Sequence, residues 1–575
     1  MLKGKKKNKQ PAKSKRQSGQ QQAAQTTLSK KEEAALKRTA KKQRQKLIQV
    51  SAVAITCFVC LGLPLVAIDP KIGAALGAGV PVMYVSYMYP RTALWLFLIY
   101  MPFGGTVLYQ FMGGNALFNL AKDGFFLPAC LALMLECQRK KKPIIVSKKL
   151  VGTLIFLLVC ALLTMLVVNG MQQLLPECTR AMKQAKIPCS EGIPIAQGIL
   201  GLKVLVGYVP LIFCAYYLIE TKKHLLWLAR LHLILALICC SLGIYQYVLL
   251  DSGVCEGTRN ATGVDLFKAS LDAKCFIGGS LTFSPSQNQI RLPGTFASPW
   301  HWAWFLIANG ALTFTVAFND PAVLWRLAGL AGMALVFVNS FISGQRIALA
   351  LVPVVTVILL VMTGQLANLK RFLPIGIGLA LVATIALSTN PEIIQERVDS
   401  FRSRAEASPP HAFIQEQFTW AVKEQRGVLG RGLGRATNST RVFGPTALVE
   451  TFHPKLLYEM GWMGLIAFLA FTTQVTLVTF KSNRKLKTKV LRDFGASYWV
   501  FIMIISYFPY WYPLDTDPVA VYYWLLVGVI LKLPELDKQE QEQAKLAQEQ
   551  EAELLRQEQA RRRRALGLEV KDEVA

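Results

Sequence analysis

One histidine and a small set of arginines in this chain have the types and spacing to do chemistry. His453 follows the polar segment GVLGRGLGRATNSTRVFGPTALVETF and precedes a long apolar run, so its imidazole belongs where water meets hydrocarbon. A neutral imidazole held there suits a general base. Arg431, Arg435 and Arg441 lie in the same segment, whose glycines would let backbone amides approach an anion closely. Arg291 opens RLPGTFASPWHWAWFLIANGAL at the end of one apolar run, and Arg346 lies in SGQRIALALVPVV between two more. An arginine so near hydrocarbon costs about 2.5–3.5 kcal/mol if drawn to the bilayer centre, so it snorkels or finds an anion. Two such residues on one side, with further basic groups beyond them, favour an anion site.

Other candidates carry less. His224 sits in a basic turn, His232 within an apolar run, His301 one turn inside another and His411 in mid-loop, and each reads as structural. Asp515 and Asp517 in YPLDTDPVAVYY either hold a divalent metal or cap a turn, the commoner use, and no metal is expected. The run Gly430 to Gly434 lacks the preceding strand of a dinucleotide site. No Walker A sequence occurs, so drive by cytoplasmic ATP does not fit.

Elements that could hold these groups at an interface are plain in the hydropathy. Of the 575 residues 53% are hydrophobic, and the mean hydropathy of +0.36 is too high for a soluble chain of this size. The apolar residues fall in runs near the ~20-residue length that crosses a bilayer as a helix. The expected fold is an all-α polytopic membrane protein with about 14 (12–14) transmembrane helices, at 47–68, 72–89, 92–112, 117–137, 150–168, 196–219, 225–250, 297–318, 327–342, 346–364, 372–388, 455–480, 495–510 and 518–532.

An even count puts both termini on one side, and the Lys-rich start makes that side the cytoplasm. The basic connections 138–149, 220–224 and 481–492 then fall inside, and the long loops 169–195, 251–296 and 389–452 outside. The net charge of +29 is thereby explained by topology and attraction to anionic membrane lipids, with no nucleic-acid face. Eight of the twelve cysteines lie in apolar runs, while Cys178 with Cys189 and Cys255 with Cys275 occupy two outer loops, where one bridge per loop is expected.

Several of these residues carry a family resemblance. RLPGTFASPWHWAWFLIA, from Arg291, resembles the R-x-x-G-x-F-x-x-P segment of the O-antigen ligase/polymerase superfamily, and SGQRIALAL is similar to its S-x-x-R motif. RVDSFRSRAEASPPHAFIQEQFTWAVKEQRGVLGRGLG resembles its large outer loop, and HPKLLYEMGWMG its His-x10-Gly element, with Gly464 as the glycine. The chain departs from the family's Arg-x3-Leu pattern, having Ala350 in place of leucine.

The resemblance implies a GT-C-like membrane glycosyltransferase with a large outer loop between late spans. Its organisation would be a basic cytoplasmic tail (1–46), N-terminal transmembrane helices (47–194), a ligase/polymerase-like core (195–480) including outer loop 389–452, C-terminal transmembrane helices (481–532) and a charged cytoplasmic helical tail (533–575). It would move a glycan from a polyprenyl-diphosphate carrier to a lipid or glycan acceptor at the outer face of the bacterial inner membrane, without cofactor or metal. Arg291 and Arg346 would hold the diphosphate, His453 would act as base, and Arg431, Arg435 and Arg441 would hold glycan or phosphate. A polymerase of the same fold, a solute transporter or lipid flippase, and a scaffold with recruiting tails are the alternatives.

Overall fold

The computed structural model describes residues 30–68, 70–110, 121–185, 187–263, 279–284, 289–365, 409–508, 510 and 513–566, with isolated positions at 266, 275, 395, 399, 402, 403 and 406. The expected span 372–388 lies outside the described residues. Among the described residues all regular structure is helical, and only isolated bridges pair extended backbone. The chain divides into Met1–Val85 and Ser86–Ala575.

In the first unit, α1 (Lys30–Cys57) runs on through a π turn, Phe58–Gly62, and Leu63–Ile68, and is followed by α2 (Pro70–Met88). The pair meets on glycine: a Cβ on Gly62 would stand 3.1 Å from the Gly77 Cα, and one on Gly73 would strike the Val66 backbone. Small residues at such contacts let helices approach where apolar burial gives no drive.

The second unit contains α3 (Pro90–Tyr100), α4 (Ala121–Arg139), α5 (Lys148–Leu163), α6 (Pro194–Val206), α7 (Leu211–Leu218), α8 (Lys222–Asp251), α9 (Pro299–Asn319), α10 (Val323–Ile342), α11 (Arg346–Met362), α12 (Pro410–Glu424), α13 (Phe452–Arg484), α14 (Lys489–Tyr507) and α15 (Asp517–Ala565). Proline opens α3, α6, α9 and α12, where its missing N–H costs nothing. The Thr221 side chain caps α8 by accepting from the His224 amide.

Nine helical stretches among the described residues are long and apolar enough to cross a membrane. Two shorter apolar helices, Leu76–Met88 and Arg346–Met362, and two further 19-residue helices, α4 and α14, coincide with other expected spans. The helix α9 is the central post: 94% of its apolar window is buried, against 22% for Lys148–Gln173, whose Leu162, Leu166 and Met171 face outward as lipid-facing residues do. Trp302, Trp304, Phe305 and Phe314 of α9 are fully buried. A Cβ on Gly329 of α10 would stand 2.6 Å from the Ala317 amide, so glycine sets that close packing.

The bundle has two chemically distinct ends. At one, Lys222 pairs with Glu540, the Lys487 and Thr488 amides donate to Asp537 (3.1 and 2.9 Å), the Tyr217 hydroxyl donates to Pro143 O (2.6 Å), and Arg91 lies between Glu136 and Glu220. The three Lys-rich connections gather there. At the other end the loop 169–195 meets the loop 389–452 through Asn169–Leu433 and Ile193–Phe443, and Arg291 of the third loop lies within electrostatic reach of Glu450.

The passage from His453 into the apolar run is not one helix. Gly461 has φ 66° and ψ −169° inside α13, dividing it into a short segment 452–460 and the long run 462–484. The rings of Phe452 and Phe468 are 5.1 Å apart. Sixteen residues of straight helix would separate them by about 24 Å, so the short segment folds back against the long one.

Candidate functional site at the loop end of the bundle

The two arginines at the starts of apolar runs are brought together by their backbones. Arg291 follows the antiparallel bridge between Phe283 and Ile290, and its amide donates to Thr282 O at 2.7 Å. The next amide, Leu292, donates to Ser343 O at 2.9 Å, so the Arg291 strand lies against the turn that delivers Arg346. That turn needs glycine at 344, where φ is 66°. Thr282 is itself held by the Thr258 amide, which donates to its Oγ1 (2.8 Å), and the disulfide Cys255–Cys275 lies in the same loop. Burial holds the Arg291 guanidinium below its usual proton affinity, Arg346 pushes the same way, and Glu450 opposes both. The arrangement therefore gathers two positive charges in a partly dry place with a carboxylate alongside.

The glycine-rich loop is a docked structure, with four of its amides bonded to other parts of the protein. Arg431 N donates to Tyr458 O (2.9 Å), Gly432 N to Glu459 O (3.0 Å), Leu433 N to Asn169 Oδ1 (2.8 Å) and Ala436 N to Glu459 Oε1 (2.6 Å). Glycine here serves close backbone packing: a Cβ on Gly430 would lie 2.6 Å from the Gly461 amide. The fully buried Asn169 also donates to Pro194 O and Leu433 O (both 2.9 Å), joining the loop to the start of α6. The arginines share this internal role. Arg431 bonds to Glu424, Arg435 to Gln172 Oε1 (2.6 Å) and Glu191 O (3.3 Å), and the exposed Arg441 to Thr446 Oγ1 (3.0 Å). Burial lowers the Arg435 proton affinity, with Tyr458 and Glu191 opposing. Cys178 and Cys189 are joined beside this loop: Ser190 bridges to Glu177, and Ile193 N donates to Phe443 O at 2.6 Å.

His453 lies in the short segment beside the Phe452 and Phe468 rings, and its Nε2 is buried without a partner among the described residues. The same holds for Thr451 Oγ1 and for both amide atoms of Gln345, the residue before Arg346. Such groups cost about 1–3 kcal/mol each, and in native proteins they mark places with another use. Three residues link Glu450, within electrostatic reach of Arg291, to His453, a span of at most about 11 Å. Above this segment lies α12: Gln417 Oε1 accepts from Glu450 N at 3.1 Å, and Trp420 stacks on Tyr458 at 5.0 Å.

Gly461 is the joint on which this geometry turns. A Cβ there would meet Val428 O at 2.0 Å, and its φ lies where side chains are strained. Gly461→Ala is therefore expected to cost more than the ~1 kcal/mol of the backbone strain alone and to dislodge residues 428–432. Faster hydrogen exchange of the Arg431 and Gly432 amides would register it; unchanged exchange would show that the joint tolerates a side chain.

Near His453 in the chain begins a set of paired charges, buried at Lys455, Glu459 and Lys122 and half-buried at Asp517 and Lys203. Lys455, 3% exposed at its side chain, pairs with Asp515, and the 2%-exposed Glu459 is within reach of both. Two residues on, Asp517 pairs with Lys122 and accepts from the Tyr208 hydroxyl (3.3 Å), while Lys203 pairs with Asp123 at 2.9 Å. His301 bonds to Ser298 and faces Asp517 and Lys122. The Asp-x-Asp pair is thus occupied by lysines, and no group of three metal-ligating side chains occurs among the described residues. The remaining histidines are accounted for locally: His232 Nδ1 bonds Leu228 O (2.8 Å), His224 Nδ1 accepts from Glu220 N (3.3 Å), and His411 is exposed on α12.

The chain matches no protein-family model and no curated protein sequence.

Sequence reasoning missed Lys122, Asp123, Lys203, Lys455 and Glu459. A signal was present: each is a charge at the edge of or inside an apolar run, as in ILGLKVLVGYV around Lys203, and such charges are retained only with a partner. It also missed Glu450 and Gln345, whose relation to the arginines exists only in three dimensions.

Proposed function

We propose that the protein is a membrane glycosyltransferase that moves a glycan from a polyprenyl-diphosphate carrier to an acceptor at the outer face of the bacterial inner membrane, as an O-antigen ligase does. The observation that carries this is the joining of Arg291 and Arg346 through the Leu292–Ser343 backbone bond, at the same end of the bundle as His453. Two guanidiniums offer planar forks matched to a diphosphate, whose negative charge grows as the glycosidic bond breaks. The acceptor oxygen bonds to the anomeric carbon, the electron pair of the old bond leaves with the diphosphate, and His453 takes the acceptor proton through the buried Nε2. In this scheme the arginines supply the charge that metal supplies elsewhere.

In this reading the protein has about 14 spans in a GT-C-like arrangement with both termini cytoplasmic. The Lys-rich end of the bundle supports that orientation, because basic connections stay inside. The disulfides Cys178–Cys189 and Cys255–Cys275 at the opposite end support it too, since such bonds persist outside the cytoplasm.

The test is incubation of the reconstituted protein with a lipid-diphosphate-linked oligosaccharide, with and without chelator. Sugar is expected on a second molecule in both cases, and His453→Ala is expected to slow transfer by about 10²–10⁴. A glycan moved intact onto a lipid identifies a ligase, and a lengthened glycan a polymerase. Flux across vesicles with no covalent product would overturn the proposal in favour of a transporter.

A further inference from the structure

We propose that Glu459 is a positioning residue: its carboxylate locks the glycine-rich loop 430–437 onto the short helix that carries His453, so that imidazole and loop keep one register during transfer. This rests on the reaction proposed above. The short segment 452–460 is cut from its spanning helix by Gly461, and nine residues of helix do not hold themselves in water or at an interface. Its orientation is therefore set by ties to other parts of the chain. At its start Thr451 bridges to Tyr510, and near its middle Lys455 pairs with Asp515. At its end the tie is Glu459.

That tie is made twice. Glu459 Oε1 accepts from the Ala436 amide (2.6 Å) and from the Thr437 hydroxyl (3.0 Å), while the Glu459 carbonyl accepts from Gly432 N (3.0 Å). Tyr458, one residue earlier, takes Arg431 N on its carbonyl (2.9 Å) and the Trp420 ring on its face. Buried hydrogen bonds to a carboxylate are short and strong, and geometry near a reacting centre is sensitive to displacements of about 1 Å. Arg291 and Arg346 stand on other elements, the extended segment that precedes α9 and the start of α11, so loosening this tie leaves the proposed donor site in place.

The variants are Glu459→Ala, which removes the acceptor, Glu459→Gln, whose amide oxygen keeps it without the charge, and Thr437→Val, which removes one of the two donors. Full-length protein in lipid nanodiscs is followed by hydrogen exchange across residues 431–437 and by transfer kinetics. For Glu459→Ala we expect exchange at Ala436 at least tenfold faster and a kcat about ten- to a hundredfold lower at unchanged donor KM. Glu459→Gln should keep both within about threefold of wild type, with Thr437→Val in between. Unchanged exchange in Glu459→Ala overturns the tie, and faster exchange with unchanged kcat overturns its role in positioning. Should wild-type protein transfer no sugar, the proposed reaction fails and positioning for it fails too, while exchange still decides whether the tie exists.

Discussion

Replacing Lys455 by methionine is expected to cost about 3–5 kcal/mol of stability and to leave much of the protein misassembled. The side chain is 3% exposed, and its ammonium lies between Asp515, with which it pairs, and the buried Glu459. Its loss strands two negative charges within reach of each other, Glu459 buried and Asp515 largely so. The three-charge set also predicts an order. With all three ionised the net charge is −1, so Asp515→Asn leaves a balanced Lys455 and Glu459 and should be mild. The double variant Lys455→Met/Asp515→Asn leaves one carboxylate, itself bonded to Ala436 and Thr437, and should regain about half of what Lys455→Met loses. Thermal unfolding in one detergent, with size-exclusion profiles, measures all three. Equal loss in the single and double lysine variants would mean that the ammonium works through packing and not through charge.

That prediction was not available from the sequence, and the reason is physical. What could be read was whatever stands out along the chain: apolar runs of bilayer length, lysine clusters in three connections that fall on one side, paired cysteines confined to two loops. Each is a local consequence of the membrane: the bilayer leaves backbone polar groups no partner except their own helix, basic connections stay inside, and disulfides persist outside. Arg291 and Arg346 were legible for the same reason, as cations set against hydrocarbon. The partners of buried charges follow no local rule. Lys122 and Asp517 are 395 residues apart, and Lys455 and Asp515 are 60 apart. The joint at Gly461 was hidden differently: HPKLLYEMGWMGLIAF keeps apolar periodicity through the glycine, and only the loop backbone at Val428, which would occupy the space of a side chain, makes the reversal necessary. The same docking engages the loop itself. Its glycines read as a way for backbone amides to approach an anion, and Tyr458, Glu459 and Asn169 take up the amides of Arg431, Gly432, Leu433 and Ala436, since a buried N–H left without a partner is costly.

Replacing Arg291 by methionine should abolish most transfer while leaving the fold as stable as before or slightly more so. The proposed chemistry assigns this guanidinium to the charge that grows on the departing diphosphate, and removal of one such donor in comparable sites costs about 10²–10³ in rate. Stability moves the other way. Burial and the neighbouring Arg346 both hold the proton affinity of Arg291 below its usual value, and Glu450 does not make up the difference. A group whose proton affinity falls on folding disfavours its charged form in the folded state. Since arginine stays charged, the folded protein carries the strain at every working pH, and deleting the charge relieves it. An arginine kept only for structure would show the reverse, a loss of stability with activity falling in proportion. Arg291→Lys separates charge from shape: it keeps the cation but not the planar fork, and should fall between wild type and Arg291→Met. Because Arg291 and Arg346 would act on one diphosphate, the double variant should be little worse than either single one. Transfer rates paired with thermal midpoints decide the matter. Full activity in Arg291→Met, or a midpoint lowered in step with the rate, would remove the arginine pair from the chemistry and with it the observation on which the proposed function rests.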